Sequence, residues 1–241
     1  MKLKGRLYLL PSPLSSDFEV NHIPEANLQI MQPLRYFIVE EIRNARRFLR
    51  KTNSNFPIDD CQFFILSEHS HNEDIPEMIL PLLNGMDMGL ISGAGLPCIA
   101  DPGQSVVKLA HKNNIEIIPL TGPSSIMLSL MASGFNGQNF IFHGYLPQDK
   151  DQRGVKLKEI EKASALLNQT QIFIEAPYRN RQMLESLIQH CHPETQLCIA
   201  VDIHSPGQKI STATIKSWSH QKTEFHKKPA VFLLYCGTDS I

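Results

Sequence analysis

Short apolar runs alternate with amphipathic stretches along almost the whole chain. Lys4 to Leu10 reads as a strand, ended by Pro11-Ser12-Pro13. Tyr36 to Val39 is a second run, followed by a helical pattern from Glu40 to Lys51. Gln62 to Leu66 is a third strand and Asp74 to Leu83 a helix; Met88 to Ser92 is a fourth strand, with a helix from Gln104 to Asn113. Ile115 to Leu120 is a fifth. Strands separated by helices imply βαβ units and a largely parallel sheet.

The second half repeats the alternation. A helix is expected over Ser124 to Ala132, with its N-cap serine beside Pro123, and a strand over Phe140 to Gly144. A charged amphipathic helix follows from Asp151 to Leu167, then a strand from Gln171 to Glu175 and a helix from Arg179 to His190. Gln196 to Val201 and Ala230 to Cys236 complete the strands. The pattern predicts two α/β domains, residues 1–121 and 122–241, with the boundary between Thr121 and Ser124.

Composition narrows the class. At 241 residues, 42% hydrophobic and 20% charged, the chain can bury a substantial core and is not disordered. A net charge of −1 provides no global basic field, so any nucleic-acid contact must be a local patch. The apolar run after Met1 to Arg6 is too short for a signal-peptide core or a membrane span. Five cysteines without a CxxC pair fit a reducing compartment. A cytoplasmic location is expected.

The loops after the fourth and fifth strands carry the chemistry. Ser92-Gly93-Ala94-Gly95-Leu96-Pro97 leads to Asp101-Pro102-Gly103, and Thr121-Gly122-Pro123-Ser124-Ser125 opens a helix. Glycines let a ligand approach the backbone and prolines fix the loop's course. No Gly-Lys-Ser/Thr follows, and the G-x-G-x-x-G spacing fails, so neither a triphosphate loop nor a dinucleotide fingerprint is present. With no lysine, and with Pro97 and Pro102 removing amide donors, the loop suits a neutral or zwitterionic ligand.

These motifs resemble the tetrapyrrole methylase superfamily of S-adenosylmethionine-dependent methyltransferases. Within it, the chain is most similar to the ribosomal small-subunit RNA (cytidine-2'-O)-methyltransferase I family. Gly5-Arg6-Leu7-Tyr8, His69-Ser70-His71-Asn72-Glu73, Phe142-His143-Gly144-Tyr145-Leu146-Pro147 and Glu175-Ala176-Pro177-Tyr178-Arg179 fall in the matching order. The resemblance runs from Gly5 to about Leu187. It implies two α/β domains with S-adenosylmethionine in the cleft between them, in a homodimer acting on ribosomal RNA of the small subunit. Cofactor contacts carried over by position are Leu14, Gly95, Leu96, Ile99, Ser124, Ser125, Ile126, Ala200 and Ala230.

Methyl transfer to a ribose hydroxyl calls for a group that orients the nucleophile or takes its proton. Glu40-Glu41-Ile42-Arg43 resembles the family's Glu-Asp-Thr-Arg, which makes Glu40 and Arg43 the first candidates. His71, Glu73 and Arg179 support them; the alternative for the Glu40 segment is an acid-rich first helical turn favoured by the dipole. A cation such as Arg179 in a first helical turn opposes the dipole, which points to a substrate or interdomain role. His69, His71 and Glu73 form a polar loop better suited to hydrogen bonding than to a metal, and Cys191-His192 lacks a second pair; no metal is expected. Arg43, Arg46, Arg47 and Arg50 share one helical face, opposite Ile42, Ala45, Phe48 and Leu49, and Arg46, Arg47 and Arg50 are candidate RNA phosphate contacts.

Departures from the family stand beside these matches. Gly93 replaces an aspartate, Tyr178 a histidine, and Val201-Asp202-Ile203-His204-Ser205 the family's charged Arg-Glu-Leu-Thr-Lys segment. The chain also stops soon after Cys236-Gly237, short of a tail that many relatives carry. Two alternatives therefore stay open: a methylase of a tetrapyrrole or other small molecule, and a non-catalytic module that binds S-adenosylmethionine.

Overall fold

A computed structural model describes residues 3–15, 22–67, 70, 73–221 and 225–237. The chain separates into two compact units, Met1–Ser124 and Ser125–Ile241.

Unit 1 is built on a five-stranded sheet in the order β3-β2-β4-β1-β5. Its strands are β1 (Leu7–Leu10), β2 (Tyr36–Val39), β3 (Gln62–Ile65), β4 (Met88–Ile91) and β5 (Ile117–Pro119), and every pairing is parallel. Parallel neighbours need crossovers, and the helices supply them. These are α1 (Glu25–Met31), α2 (Ile42–Thr52), α3 (Ile75–Met78), α4 (Leu80–Leu83) and α5 (Gln104–Lys112). One sheet face packs Leu10, Phe37, Val39 and Ile91 against Ala45, Phe48 and Leu49 of α2. The other packs Leu7, Ile38, Met88 and Leu90 against Ile75, Leu82, Val106 and Ala110. Both faces are covered, which is why β4 is apolar throughout. All five carboxyl ends therefore lie along one edge.

The helix expected over Asp74 to Leu83 is broken. Pro76 is the second residue of α3 and Pro81 the second of α4, and a proline in a helix interior removes a backbone bond and clashes with the preceding turn. Helix α1 was not anticipated in the pattern; it starts after Pro24, and Asn27 Nδ2 donates to the Thr121 carbonyl at 2.7 Å.

Unit 2 departs from the expected parallel arrangement. Its sheet runs β6-β7-β10-β8-β9, from β6 (Phe140–Tyr145), β7 (Thr170–Ile174), β8 (Gln196–Val201), β9 (Lys209–Thr214) and β10 (Ala230–Tyr235). Only β6 and β7 pair in parallel. Strand β10 runs against both β7 and β8, and β8 against β9. The physical reason is connection length: residues 202–208 between β8 and β9 hold no helix, so the chain turns back rather than crossing over. Helices α7 (Lys150–Leu167), α8 (Asn180–His190) and α9 (Ile215–His220) cover one face, where Phe173 and Phe232 stack at 5.6 Å. Helix α6 (Ser125–Ser133) covers the other, placing Ile126 and Leu130 on Ile172, Cys198, Val231 and Leu233. The buried Arg153 of α7 is satisfied by Ser186 Oγ at 3.0 Å and the Gln148 carbonyl at 2.9 Å.

Candidate active site

The loops leaving β1 and β4 are tied together at the carboxyl edge of unit 1. Ser12 N–H donates to the Gly95 carbonyl at 2.9 Å, and Gly95 N–H returns a bond to the Ser12 carbonyl at 3.1 Å. Ser92 Oγ also donates to the Gly95 carbonyl at 2.9 Å and lies 3.3 Å from Ser12 Oγ. Both serines are buried, so each hydroxyl needs these partners. Gly95 has φ +77°, and a Cβ there would stand 3.1 Å from Leu14 Cδ2 and 3.3 Å from the Pro123 carbonyl. Three sequence-predicted segments, at Leu14, Gly95 and the residues before Ser124, thus converge within unit 1.

The rest of the glycine loop is held in a strained course. Cys98 (φ 66°) and Ala100 (φ 61°) occupy the left-handed region, which costs a non-glycine residue about 1–2 kcal/mol. Asp101 Oδ1 accepts the Cys98 and Gly103 N–H groups, each at 2.8 Å, and the Gly103 bond is the short return contact that Asp-Pro-Gly turns make. Burial raises the Asp101 carboxyl above its usual range, more than the two backbone donors lower it, and nearby Glu40 adds to the rise. Burial, with Asp101 beside it, pushes the Cys98 thiol up to about 11 and keeps it neutral. Leu96 is half-buried, and Ile99 stands 49% exposed, unusual for so apolar a side chain.

Glu40 lies at the end of β2 and outside α2, whose N-cap is Glu41. The acid-rich first turn is therefore not what the structure has: no acid sits in the first turn of α2. Instead Glu40 Oε1 accepts the Gly93 N–H at 2.7 Å, across the sheet edge. A Cβ at position 93 would lie 3.0 Å from Glu40 Oε2, so glycine eases this approach. Next to this bond is a cavity of about 220 Å³, whose lining includes Leu14, Glu40, Glu41, Asn44, Arg47 and Ala94. Asn44 Nδ2 donates to Glu41 Oε2 at 2.6 Å.

Helix α2 presents its four arginines to solvent and buries Ala45, Phe48 and Leu49. Arg46 pairs with Asp59 at 3.0 Å, Arg47 borders the cavity, and Arg43 and Arg50 are exposed. Glu73 is exposed just before α3. His71, like His69, lies outside the described residues. Among the described residues no group of His, Cys, Asp and Glu is placed to hold a metal.

In unit 2, the carboxyl ends of β7 and β8 and the start of β10 share an edge, with Ala230 opposite Val201 and Val231 opposite Ala200. Ala200 and Ala230 are buried in this ladder. Arg179 belongs to a short 3-10 turn before α8, and its charge is already matched. Its Nε and Nη2 reach Glu175 Oε1 at 2.8 and 2.6 Å, and the Arg179 side chain is only 12% exposed. The dipole argument from sequence overlooked this i,i+4 acid. Glu175 Oε1 also accepts the Ala176 N–H at 2.7 Å. Asp202, within the segment that departs from the family, pairs with Lys228 at 2.9 Å.

No protein-family model matches the chain. The fold is that of the tetrapyrrole methyltransferases. The crystal structure of the methyltransferase CobJ superimposes with a TM-score of 0.65 at 13% identity, covering 96% of this chain and 94% of that one. The uroporphyrin-III C-methyltransferase of Thermus thermophilus, complexed with S-adenosylhomocysteine, gives 0.59 at 12% identity over 96% and 97%. By sequence, the chain is 30% identical over 238 residues to ribosomal RNA small subunit methyltransferase I of Streptococcus pyogenes serotype M6, covering 98% of this chain and 78% of the relative. The chain belongs to the ribosomal RNA small subunit methyltransferase I family, and it is a methyltransferase.

Proposed function

We propose that the chain methylates a ribose 2'-hydroxyl of small-subunit ribosomal RNA, with S-adenosylmethionine as donor, and works as a cytoplasmic homodimer. The observation that carries this reading is the Glu40–Gly93 bond, which joins a strand-end carboxylate to the glycine loop at the open edge of a parallel sheet.

The residues present fit the cofactor. The Gly93 to Gly103 loop carries no cation, is fixed by internal bonds, and leaves Gly93, Ala94 and Ile99 exposed. That suits a zwitterion with an apolar ring system. Leu14, Gly95, Leu96, Ile99 and Ser124 of unit 1 would hold it, together with Ser125, Ile126, Ala200 and Ala230 of unit 2. Ile126, Ala200 and Ala230 are buried, so they would contribute main-chain contacts. S-Adenosylmethionine supplies an electrophilic methyl group on a sulfonium centre.

The protein's share is orientation and proton handling. Gly93 N–H fixes one oxygen of Glu40, which leaves Oε2 to align the attacking hydroxyl and receive its proton. Arg43, two residues beyond the N-cap of α2, would counter the charge of the RNA backbone, with Glu73 in support. Arg179 would act as a positioning residue through Glu175. Arg46, Arg47 and Arg50 would meet phosphates, a local basic face on a chain whose net charge is −1. The dimer is carried over from the family. Among the described residues, no helix is long and apolar enough to cross a membrane, and all five thiols are free.

Incubation with labelled S-adenosylmethionine and undermethylated small ribosomal subunits tests the reading. Label should appear in the RNA, at an alkali-resistant ribose-methylated position. Label confined to a small-molecule pool would overturn it in favour of a metabolite methylase, and cofactor binding without transfer would favour a sensor.

A further inference from the structure

Unit 2 carries an exposed aromatic ring on a rigid support. Tyr178 follows β7 in the turn Pro177–Arg179 and is 62% exposed. The Arg179 guanidinium carbon lies 5.5 Å from the centroid of that ring. The buried Glu175 carboxylate holds the guanidinium there, through contacts of 2.8 and 2.6 Å. A ring backed by a fixed cation is preorganised to receive a second planar group on the part left in solvent.

The turn that precedes β10 is clamped to the same place. Asn180, fully buried, donates through Nδ2 to the Phe225 carbonyl at 3.2 Å and to the Lys228 carbonyl at 2.7 Å. Lys227 N–H donates to the carbonyl of Pro177, the residue before Tyr178, at 3.0 Å. Lys227 is held at φ +63°, a left-handed conformation that a lysine avoids. Such strain persists where surrounding bonds over-determine the backbone, and these bonds do so at both ends of the turn and at Lys227 itself. His226 and Lys227 are thereby exposed on a fixed turn, bonded to the segment that carries the Tyr178 ring.

We propose that this face of unit 2 is an RNA contact in addition to the arginines of α2: Tyr178 stacks an unpaired base, and Lys227 meets a flanking phosphate. The proposal rests on the RNA-methylation reading and extends it. Every base has a π-face, so stacking tolerates sequence, and this face would hold the strand rather than read it. A paired A-form helix keeps its base faces stacked, so the segment received here must be single-stranded. Because the ring and the turn are already fixed, little freedom is lost on binding.

Fluorescence of 2-aminopurine, placed at successive positions of a single-stranded oligonucleotide of small-subunit sequence, tests the stack, and the titrations are repeated at several salt concentrations. Wild type should quench the probe at one position. Y178A should leave it unquenched and bind about tenfold more weakly, whereas Y178W should keep both properties. K227G removes the cation and suits a left-handed backbone, so the turn is kept while the slope of log affinity against log salt falls by about 1. A lysine with a merely structural role would leave that slope unchanged. Y178A that binds and quenches like wild type, or K227G with an unaltered slope, overturns the contact while leaving RNA methylation standing. So does a Y178A chain that passes from dimer to monomer in sedimentation, since the face would then lie between copies. Absence of methyl transfer to small subunits by the wild-type chain overturns the underlying reading, and the contact with it.

Discussion

The two units place polar residues at strand ends in opposite ways. At the edge of unit 1, side chains bind backbone: Ser92 to Gly95, Glu40 to Gly93, Asp101 to Cys98 and Gly103. At the corresponding edge of unit 2, side chains largely bind each other: Arg179 to Glu175, and Lys228 to Asp202. The first arrangement holds loops around open space, and the second closes a surface. Sheet direction underlies the difference. Five parallel strands deliver five loops to one edge, whereas in unit 2 the incoming ends of β9 and β10 share the edge with the outgoing ends of β7 and β8. A carboxylate in unit 1 therefore has room to act on a ligand, and one in unit 2 mainly holds the fold.

The largest test of that contrast exchanges a single carboxylate in each unit. E40Q keeps an oxygen that can accept the Gly93 N–H but loses the base, so transfer should fall by about 10²–10⁴ with little change in melting temperature. Single-turnover label transfer beside calorimetry measures both. In unit 2 the main effect should fall on stability. R179A leaves the carboxylate of Glu175, already with one buried and unpartnered oxygen, without its counter-charge. Breaking such a buried pair should cost about 3–5 kcal/mol in urea unfolding. Stability loss in E40Q, or an intact unfolding midpoint in R179A, would dissolve the distinction.

Much of unit 1 is legible in the amino-acid pattern because its strands are buried on both faces and read as continuous apolar runs. The glycine loop announces itself through Gly93, Gly95 and Asp101-Pro102-Gly103, and the 3.6-residue period places Arg43, Arg46, Arg47 and Arg50 on the open face of α2. Periodicity fails where packing decides. Strand β9 carries Ile210 and Ala213 as its only apolar residues, because it is a half-exposed edge, and no run marks it. Glu40 looks helical in sequence, since Glu41 gives no cue that the cap lies one residue further on. Ser12 and Ser92 are 80 residues apart, and nothing local says that their hydroxyls meet. Asp101 was within reach, because an Asp before Pro-Gly commonly bonds its own turn.

A smaller effect sharpens the picture inside unit 1, where, among the described residues, Asp101 is the one carboxylate raised by burial. The folded chain holds its proton to a higher pH than the unfolded chain does. Its stabilising contribution is therefore full below the ordinary carboxylate pKa and is lost as pH rises through the raised value. D101N keeps an acceptor for Cys98 and Gly103 but cannot ionise. Its melting temperature relative to wild type should rise between pH 4 and the raised pKa, then level off. D101A removes the side-chain acceptor of both backbone N–H groups and should cost about 2 kcal/mol relative to D101N at every pH. Parallel melting curves for D101N and wild type would show that burial of this carboxylate has no energetic weight.

The smallest effect concerns the arginine face, where fold and function should separate completely. The Arg46–Asp59 pair has side-chain exposures of 45% and 86%, so solvent screens it. Its loss in R46A should move the unfolding midpoint by less than about 1 kcal/mol. R47A removes a rim cation and should be equally mild for stability. If each arginine meets one phosphate, each variant should reduce the slope of log affinity against log salt by about 1 for an RNA fragment of the small subunit, and R46E/R47E should flatten it further. Asp59 complicates Arg46 in a useful way: an arginine that must leave an acid to reach a phosphate gains less by doing so. D59N should therefore tighten RNA binding modestly in wild type and not at all in R46A. Equal tightening in both backgrounds would mean that the pair plays no part and that Asp59 acts only as a distant negative charge.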